Sequence, residues 1–206
     1  MREAEFEKRF QGAMPQARLD EAWDKYFATE GPFDAWGALK ARTNWMVERV
    51  KGPNVLDVGC GSGLLSYLAS LNPCIVSTLA VDPLPAACEL AESKGDGKVV
   101  AQRGWAEDLS FCGDGNAHTV FMGETLQHAL NPCEALAEAL RVLDANGVLI
   151  VSVPEGGPPA PDHLRRFTRD QLFAVVEMAG FRVDEFKRIA PWLCLVAQKQ
   201  AEWVGA

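Results

Sequence analysis

The sequence predicts an α/β fold in which helices cover both faces of a seven-stranded, mostly parallel sheet, preceded by a helical extension. From residue 53 onward, short apolar runs alternate with segments of helical spacing, and this alternation is typical of parallel sheets. The chain has 206 residues, of which 48% are apolar, enough to build one domain with a sizeable core. We therefore expect a helical extension or lid over residues 1–50 and the main domain over residues 51–206.

The N-terminal extension is charged and aromatic, and its apolar residues recur at helical intervals. This spacing predicts two or three helices, with inward positions at Phe6, Phe10, Leu19, Trp23 and Phe27. Four aromatic residues could form a lid over the main domain or could pack against its core: Tyr26, Phe27, Phe33 and Trp36. Both arrangements are compatible with the spacing, and both can be true at the same time.

The main domain contains five apolar runs that predict strands: NVLDVG, STLAVD, KVVAQR, NAHTVFMG and GVLIVSVP. Helical segments lie between them over 64–71, 84–94 and 132–143. A loop rich in glycine and proline at 156–161 precedes Thr168, which can cap a helix over 169–179 that ends at Gly180. Two closing strands follow, FRVDEFKRIA and PWLCLVAQKQ.

Composition argues against several classes of function. There are 20 Lys and Arg against 28 Asp and Glu, a net charge of −8, so nothing indicates a phosphate-neutralising surface for nucleic acid. No apolar run reaches the ~18–20 residues of a membrane helix, and the N-terminus lacks an apolar signal core. We expect a cytoplasmic protein without nucleic-acid or membrane partners. Its six cysteines are expected to be reduced, mostly buried thiols, because no two form a Cys-x-x-Cys pair.

The stretch VLDVGCGSG places three glycines, Gly59, Gly61 and Gly63, directly after the first predicted strand. It lacks the lysine and hydroxyl residue of a Walker loop, and Leu64 stands where a dinucleotide-binding loop needs its third glycine. Asp57, just before the loop, would repel a pyrophosphate and attract a cation. The loop therefore indicates a ligand without phosphate, or else a tight turn without a ligand.

Asp82 ends the second predicted strand, 19 residues past Gly63 in the stretch LAVDP. At the carboxyl edge of the neighbouring strand, its carboxylate can accept two hydrogen bonds from a ribose diol. Together with Asp57 this predicts a nucleoside with a positive, phosphate-free tail. S-adenosylmethionine, which carries an ammonium and a sulfonium group, fits that description.

Over residues 53–182 the chain resembles class I S-adenosylmethionine-dependent methyltransferases of the small-molecule type. The motifs that carry the resemblance are VLDVGCGSG, VDP, GWAEDLSF, FMGETLQHALNP and ALRVLDANGVLIVSVP. The front segment GPFDAWGALKARTNWMVERV also resembles the stretch before the glycine motif in ubiquinone-pathway O-methyltransferases. The resemblance implies a Rossmann-like sheet and S-adenosylmethionine as the cofactor.

The resemblance implies a set of cofactor-binding residues: Asp57, Gly59, Cys60, Gly61, Asp82, Pro83, Trp105, Ala106, Glu107, Gly123 and Arg42. The glycine loop would lie against the methionine part, with Asp57 and the carbonyl of Gly123 near its ammonium group. Asp82 would hold the ribose hydroxyls, and Ala106 would meet the adenine edge through its backbone amide. Arg42 would meet the cofactor carboxylate, or it is a solvated helix charge.

One position departs from the family pattern. Many relatives have Gly-Asp-Ala where this chain has Gly104, Trp105 and Ala106, so the acidic contact to the adenine amino group is missing. Trp105 could stack on the adenine instead, or it could be a packed aromatic residue. Pro83 and Leu84 would lie against the adenine as well.

Glu124 and His128 are the candidate catalytic residues in the stretch GETLQH. They are four residues apart and share one face if a helical turn begins there. His128 could act as a general base on a hydroxyl acceptor, or it could cap or pack beneath the cofactor. Ubiquinone-pathway enzymes have Glu-x-x-Glu-His at this place, which could hold a divalent cation. Here Gln127, a neutral and weaker ligand, replaces the second carboxylate, so a metal is disfavoured and we assign none, although the sequence leaves one near Glu124 and His128 open.

Three residues after the last parallel strand have open roles. His163 could hang over the acceptor pocket or fix the start of the next helix. Arg165 and Arg166 could meet an acidic substrate, or they are solvated charges at the helix start.

The sequence thus predicts methyl transfer from S-adenosylmethionine to a small-molecule acceptor. Oxygen is favoured over nitrogen or carbon because of His128 and the ubiquinone-pathway resemblance. The alternative from another class is a non-catalytic cofactor-binding partner subunit. Nicotinamide-dependent oxidoreduction is disfavoured by Leu64 and Asp57. Neither the acceptor nor the oligomeric state follows from the sequence.

Overall fold

The computed structural model describes residues 36–95, 97–156 and 163–200. The helices in these ranges are α1 (Trp36–Val47), α2 (Leu64–Ser70), α3 (Pro85–Lys94), α4 (Pro132–Val142) and α5 (Arg169–Met178). The strands are β1 (Asn54–Val58), β2 (Ser77–Asp82), β3 (Val99–Arg103), β4 (Ala117–Gly123), β5 (Leu143–Pro154), β6 (Phe181–Ile189) and β7 (Trp192–Lys199). The inward positions and the aromatic lid predicted before Trp36 lie outside the described residues, and the division of the chain at residue 50 stays a prediction.

The seven strands form one sheet in the order β3-β2-β1-β4-β5-β7-β6. Strands β1 to β5 pair in parallel, and β7 pairs antiparallel with both β5 and β6. The predicted mostly parallel, seven-stranded sheet is therefore confirmed. The strand order reverses between β1 and β4, and ligands of such sheets bind in the crevice outside the carboxyl ends of the strands at that point.

Helices pack on both faces of the sheet, as predicted. Trp45 and Leu68, from α1 and α2, belong to an apolar cluster with Val55 on one face. Leu136 and Val176, from α4 and α5, belong to a second cluster on the other face. Each fully buried apolar side chain of this size stabilises the fold by about 1.5–3 kcal/mol. Among the described residues, no helix is long and apolar enough to span a membrane.

The predicted helix boundaries agree with the structure within about one residue. Thr168 accepts a hydrogen bond from the amide of Gln171, whose side chain in turn accepts one from the Thr168 amide, so both form a capping box. Gly180 follows the end of α5 with a φ of 94°. Strand β5 begins earlier than predicted, at Leu143 instead of Gly147, because Leu143 still pairs with β4 before an irregularity in the register.

Candidate active site

The glycine-rich loop connects the buried strand β1 to helix α2 and lies beside the carboxyl end of β2. Gly59, Gly61 and Gly63 all have positive φ angles. The amides of Gly59 and Cys60 donate to the carbonyl of Val81 at 2.7 and 3.0 Å, which fixes the loop against β2. Cys60 is buried, and this burial raises the pKa of its thiol far above the ordinary value, so it is a poor nucleophile.

This loop forms one wall of an open cavity of about 820 Å³ at the carboxyl ends of β1, β2 and β4. Every residue predicted to serve cofactor binding or catalysis lines it: Arg42, Asp57, Gly59, Cys60, Gly61, Asp82, Pro83, Trp105, Ala106, Glu107, Gly123, Glu124 and His128. The volume lies in the upper part of the ~300–1,000 Å³ range of small-molecule pockets. It therefore has room for a nucleoside and a small second ligand.

Several lining residues were missed by sequence reasoning, among them Leu39, Ser62, Thr125, Ala129 and Leu130. A signal was present for each of them. Leu39 lies three residues before Arg42 and thus on the same face of α1. The others are neighbours in sequence of residues that were predicted.

Asp57 is a buried carboxylate with one hydrogen-bonded oxygen and one oxygen that has no partner among the described residues. Its Oδ2 accepts from the amide and the hydroxyl of Ser66, at 3.1 and 2.6 Å. Its Oδ1 has no hydrogen-bond partner among the described residues. The pKa of Asp57 is raised to about 6, mainly because the group is buried; the hydrogen bonds from Ser66 oppose this rise, and the nearby charge of Asp82 adds to it. The open oxygen can accept from a positively charged ligand group, which would favour the ionised form.

We expect the stability of the fold to depend on the ionisation of Asp57. Because its pKa lies above the ordinary value of 3.8, its favourable contribution is full below about pH 4 and is lost as the pH rises through 6. Asp57→Asn removes this loss and keeps an acceptor oxygen for Ser66. The difference in unfolding free energy between D57N and the parent should therefore shift in favour of D57N by roughly 2 kcal/mol as the pH rises from 4 to 8.

Urea unfolding of both proteins from pH 4 to pH 8 measures this difference. Glu89→Gln, at an exposed carboxylate of α3, is the matched control and should follow the parent at every pH. A difference between D57N and the parent that stays constant with pH would contradict the raised pKa of Asp57.

Asp82 ends β2 and ties the glycine loop to the start of α3. Its Oδ2 accepts from the amide of Gly61 and its Oδ1 from the amide of Leu84, both at 3.0 Å. Each carboxylate oxygen can accept a second hydrogen bond. The backbone contacts therefore hold the carboxylate in place while leaving it two acceptors for a vicinal diol.

The cavity wall after β3 is held onto helix α4. Arg141 donates to the carbonyls of Leu109 and Cys112, at 2.8 and 2.9 Å, and pairs with Glu138. This network fixes the loop that carries Trp105. Trp105 itself is 55% exposed at the cavity, so the alternative of a packed aromatic residue is wrong.

Glu124, which we predicted to begin a helical turn, lies just before that turn. Glu124 has a φ of 59°, and its amide donates to the carbonyl of Ser152, which prolongs the pairing of β4 with β5. The single turn begins at Thr125, whose carbonyl accepts from the amides of His128 and Ala129. The prediction that Glu124 and His128 share one helical face is therefore wrong, although both residues line the cavity. We call residues 125–130 the His128 turn.

Arg42 pairs with the carboxylate of Glu124 across the cavity wall. Its guanidinium also lies over the Trp192 ring, at 4.5 Å from the ring centroid, and the residue is buried. The alternative that Arg42 is a solvated charge is therefore wrong. Because Glu124 is held in this ion pair, it is a weaker candidate for a base than His128. The Nε of Arg42 has no partner among the described residues.

Gln127, which stands where ubiquinone-pathway enzymes have a carboxylate, is buried. Its side-chain amide donates to the carbonyl of Glu124 at 2.9 Å, and it does not line the cavity. In the described part of the chain, no group of three or more His, Cys, Asp or Glu residues is placed to hold a metal ion. None of the six cysteines, all of which lie in the described ranges, forms a disulfide: Cys60, Cys88 and Cys194 are buried, Cys74 and Cys112 are half-buried, and Cys133 is exposed.

Fold and cavity together define a class of protein. A glycine loop without phosphate-binding residues, a carboxylate with an open oxygen and a second carboxylate at the next strand end form one site. These features are typical of class I S-adenosylmethionine-dependent methyltransferases. Residues 56–151, slightly less than half of the chain, match the family model of the methyltransferase domain.

The sequence is similar to those of known methyltransferases. Over 107 residues the chain is 35% identical to a ubiquinone biosynthesis O-methyltransferase of Azorhizobium caulinodans, a match that covers 50% of this chain and 41% of the relative. The chain spans about half the length of the curated relatives it matches. The resemblance to ubiquinone-pathway enzymes is thereby confirmed.

Solved structures share the fold. A SAM-dependent methyltransferase from Aquifex aeolicus superposes with a TM-score of 0.65 at 20% identity, covering 90% of this chain and 98% of that one. A chain from the complex between the Haloferax volcanii Trm112 methyltransferase activator and a methyltransferase reaches 0.73 at 17% identity, covering 92% and 97%. At these identities the likeness concerns the fold alone.

Proposed function

We propose that the protein transfers a methyl group from S-adenosylmethionine to a hydroxyl oxygen of a small-molecule acceptor. The main observation is that one cavity contains two kinds of groups. The glycine loop, Asp57 and Asp82 are suited to binding a nucleoside, and the imidazole of His128 lies at the cavity wall. The O-methyltransferase names of the curated relatives support oxygen as the acceptor atom.

The residues present fit the cofactor. The unpartnered Oδ1 of Asp57 is an acceptor for the ammonium group, and the free acceptor capacity of Asp82 suits the ribose hydroxyls. Arg42 keeps one unpartnered donor, Nε, in addition to its pairing with Glu124, and can hold the carboxylate. Leu84 and Trp105, both exposed at the cavity, offer apolar surface to the adenine.

Bound S-adenosylmethionine supplies an electrophilic methyl group on a sulfonium sulfur. The chain's own task is to align the acceptor oxygen with that group and to remove its proton. We propose that the imidazole of His128 accepts the hydroxyl proton as the oxygen attacks. The ion pair of Glu124 with Arg42 leaves His128 as the proton acceptor of this wall.

His128→Gln should lower methyl transfer by at least about 100-fold, since general-base catalysis contributes roughly 10² to 10⁴ in rate. The affinity for S-adenosylmethionine should change little, because glutamine keeps a polar side chain of similar length. Calorimetry with the cofactor measures the affinity. Transfer of a labelled methyl group to catechol and to 3,4-dihydroxybenzoate measures the rate.

His118→Gln is the matched control, because His118 belongs to the amino-terminal part of β4 and does not line the cavity. It should keep the parent's rate. Equal rates for H128Q and the parent would remove His128 from the mechanism. Transfer to benzylamine instead of the hydroxyl probes would establish a nitrogen acceptor.

The alternative is a non-catalytic cofactor-binding subunit that acts through a protein partner. The complex of the Haloferax volcanii Trm112 activator with a methyltransferase is consistent with a protein partner, although the likeness of this chain to it concerns the fold alone. Tight binding of S-adenosylmethionine without transfer to any probe would favour this alternative. Absence of cofactor binding would overturn both proposals.

A further inference from the structure

Arg165 is bound to the backbone of the His128 turn. Its Nη1 donates to the carbonyl of Leu126 at 3.1 Å and also to that of Ala129, and its Nη2 donates to the carbonyl of Leu130 at 3.0 Å. Three carbonyls of one short turn thus converge on one guanidinium. The sequence-based alternatives, a contact to an acidic substrate or a solvated charge, do not describe this geometry.

The neighbouring residues of Arg165 complete the contact. The amide of Leu164 donates to the carbonyl of Gln127 at 2.9 Å. The ring of His163 meets the ring of His128 edge to face, with centroids 4.9 Å apart and an interplanar angle of 81°. Residues 163–165 therefore hold both the backbone of the His128 turn and the imidazole that projects from it.

The His128 turn needs this external support. Within it, only the carbonyl of Thr125 accepts helix-type hydrogen bonds, from the amides of His128 and Ala129. The later carbonyls have no following helical turn to pair with, and a backbone acceptor shielded from water is costly when unpaired. A planar guanidinium with five donors can satisfy several carbonyls at once, which a lysine ammonium on a flexible stem does less well.

We propose that Arg165 is a positioning residue that fixes the His128 imidazole at the cavity wall. This role of Arg165 rests on the proposed function, in which His128 removes the proton from the hydroxyl group of the methyl acceptor. Arg165 acts through the backbone of the His128 turn, and His163 limits the rotation of the His128 ring. The His128 turn at the cavity wall is thus supported by a segment that follows β5, more than thirty residues beyond His128 in the sequence.

Imidazole NMR signals test this positioning role without any acceptor. The chain has three histidines, so H128Q and H163Q assign the ¹H–¹³C ring signals, with His118 as an internal reference for folding. In R165A we expect a shifted His128 signal and loss of the NOE between the His128 and His163 rings, while the His118 signal stays unchanged. R165K should show an intermediate spectrum.

The control is R166A, which removes the adjacent exposed arginine and should leave the His128 signal as in the parent. A His128 signal and NOE in R165A identical to those of the parent would overturn the proposal, as would an equal disturbance in R166A. Calorimetry of the parent with S-adenosylhomocysteine reports separately on the proposed function. If that ligand does not bind, the proposed function fails while the spectra still decide the role of Arg165.

Discussion

Replacing Asp82 with alanine is expected to reduce the affinity for S-adenosylmethionine at least about 100-fold. Hydrogen bonds to a charged partner contribute roughly 1.5–3 kcal/mol each, and the proposed ribose contact has two of them. The substitution also removes the acceptors for the amides of Gly61 and Leu84, which hold the glycine loop in its present form. Loss of the ligand contact and loss of the loop geometry act in the same direction.

Calorimetric titration with S-adenosylmethionine and with S-adenosylhomocysteine measures this affinity. Asp82→Asn, which keeps one acceptor oxygen, should lie between the parent and D82A. Glu89→Gln on the exposed side of α3 should bind as the parent does. Unchanged affinity in D82A would place the ribose elsewhere and remove Asp82 from the proposed site.

Gly61 and Gly63 are expected to respond differently to substitution by alanine, Gly63 mainly through stability and Gly61 mainly through cofactor binding. At Gly63 a Cβ would lie 2.5 Å from Cα and 2.7 Å from Cβ of Ala91, and the residue has a φ of 75°. Overpacking costs about 1–3 kcal/mol and the left-handed conformation about 1–2 kcal/mol more. Gly63→Ala should therefore lower the free energy of unfolding by roughly 2–5 kcal/mol.

At Gly61 a Cβ would meet no atom of the described residues within 4 Å, and the residue lines the cavity. With a φ of 50° it carries only the conformational cost of about 1–2 kcal/mol. Gly61→Ala should therefore fold, but its methyl group should obstruct the cofactor and weaken its binding.

Urea unfolding and calorimetry on both variants separate the two effects. G63A should lose more stability than G61A, and G61A should lose affinity while it remains folded. Equal stability of the two variants would show that α3 moves away from the loop and that the close approach to Ala91 is not what requires glycine.

Much of the fold and of the cavity lining could be predicted because the signals are local in the sequence. The alternation of buried strands and amphipathic helices specifies parallel pairing, and parallel strands bring their carboxyl ends to one edge. Asp57, the glycine loop and Asp82 stand directly at such ends. Their meeting at one cavity therefore follows from strand boundaries alone.

Other features could not be predicted, because contacts between distant segments decide them. Arg42 is separated from Glu124 by 82 residues, and nothing local distinguishes it from a solvated helix charge. The late start of the His128 turn depends on the pairing of the Glu124 amide with Ser152 in β5. In each case the local pattern was compatible with a simpler arrangement.

The sequence by itself determined the class of protein, the order of its strands and helices, and the residues at the strand ends that face the cavity. Only the tertiary structure decided which charges are paired, that Glu124 is held by Arg42, and that Arg165 supports the His128 turn. Backbone patterns follow from periodicity and turn chemistry within a few residues. The hydrogen bonds and ion pairs of the site depend on how segments far apart in the chain come together, and no periodicity records that.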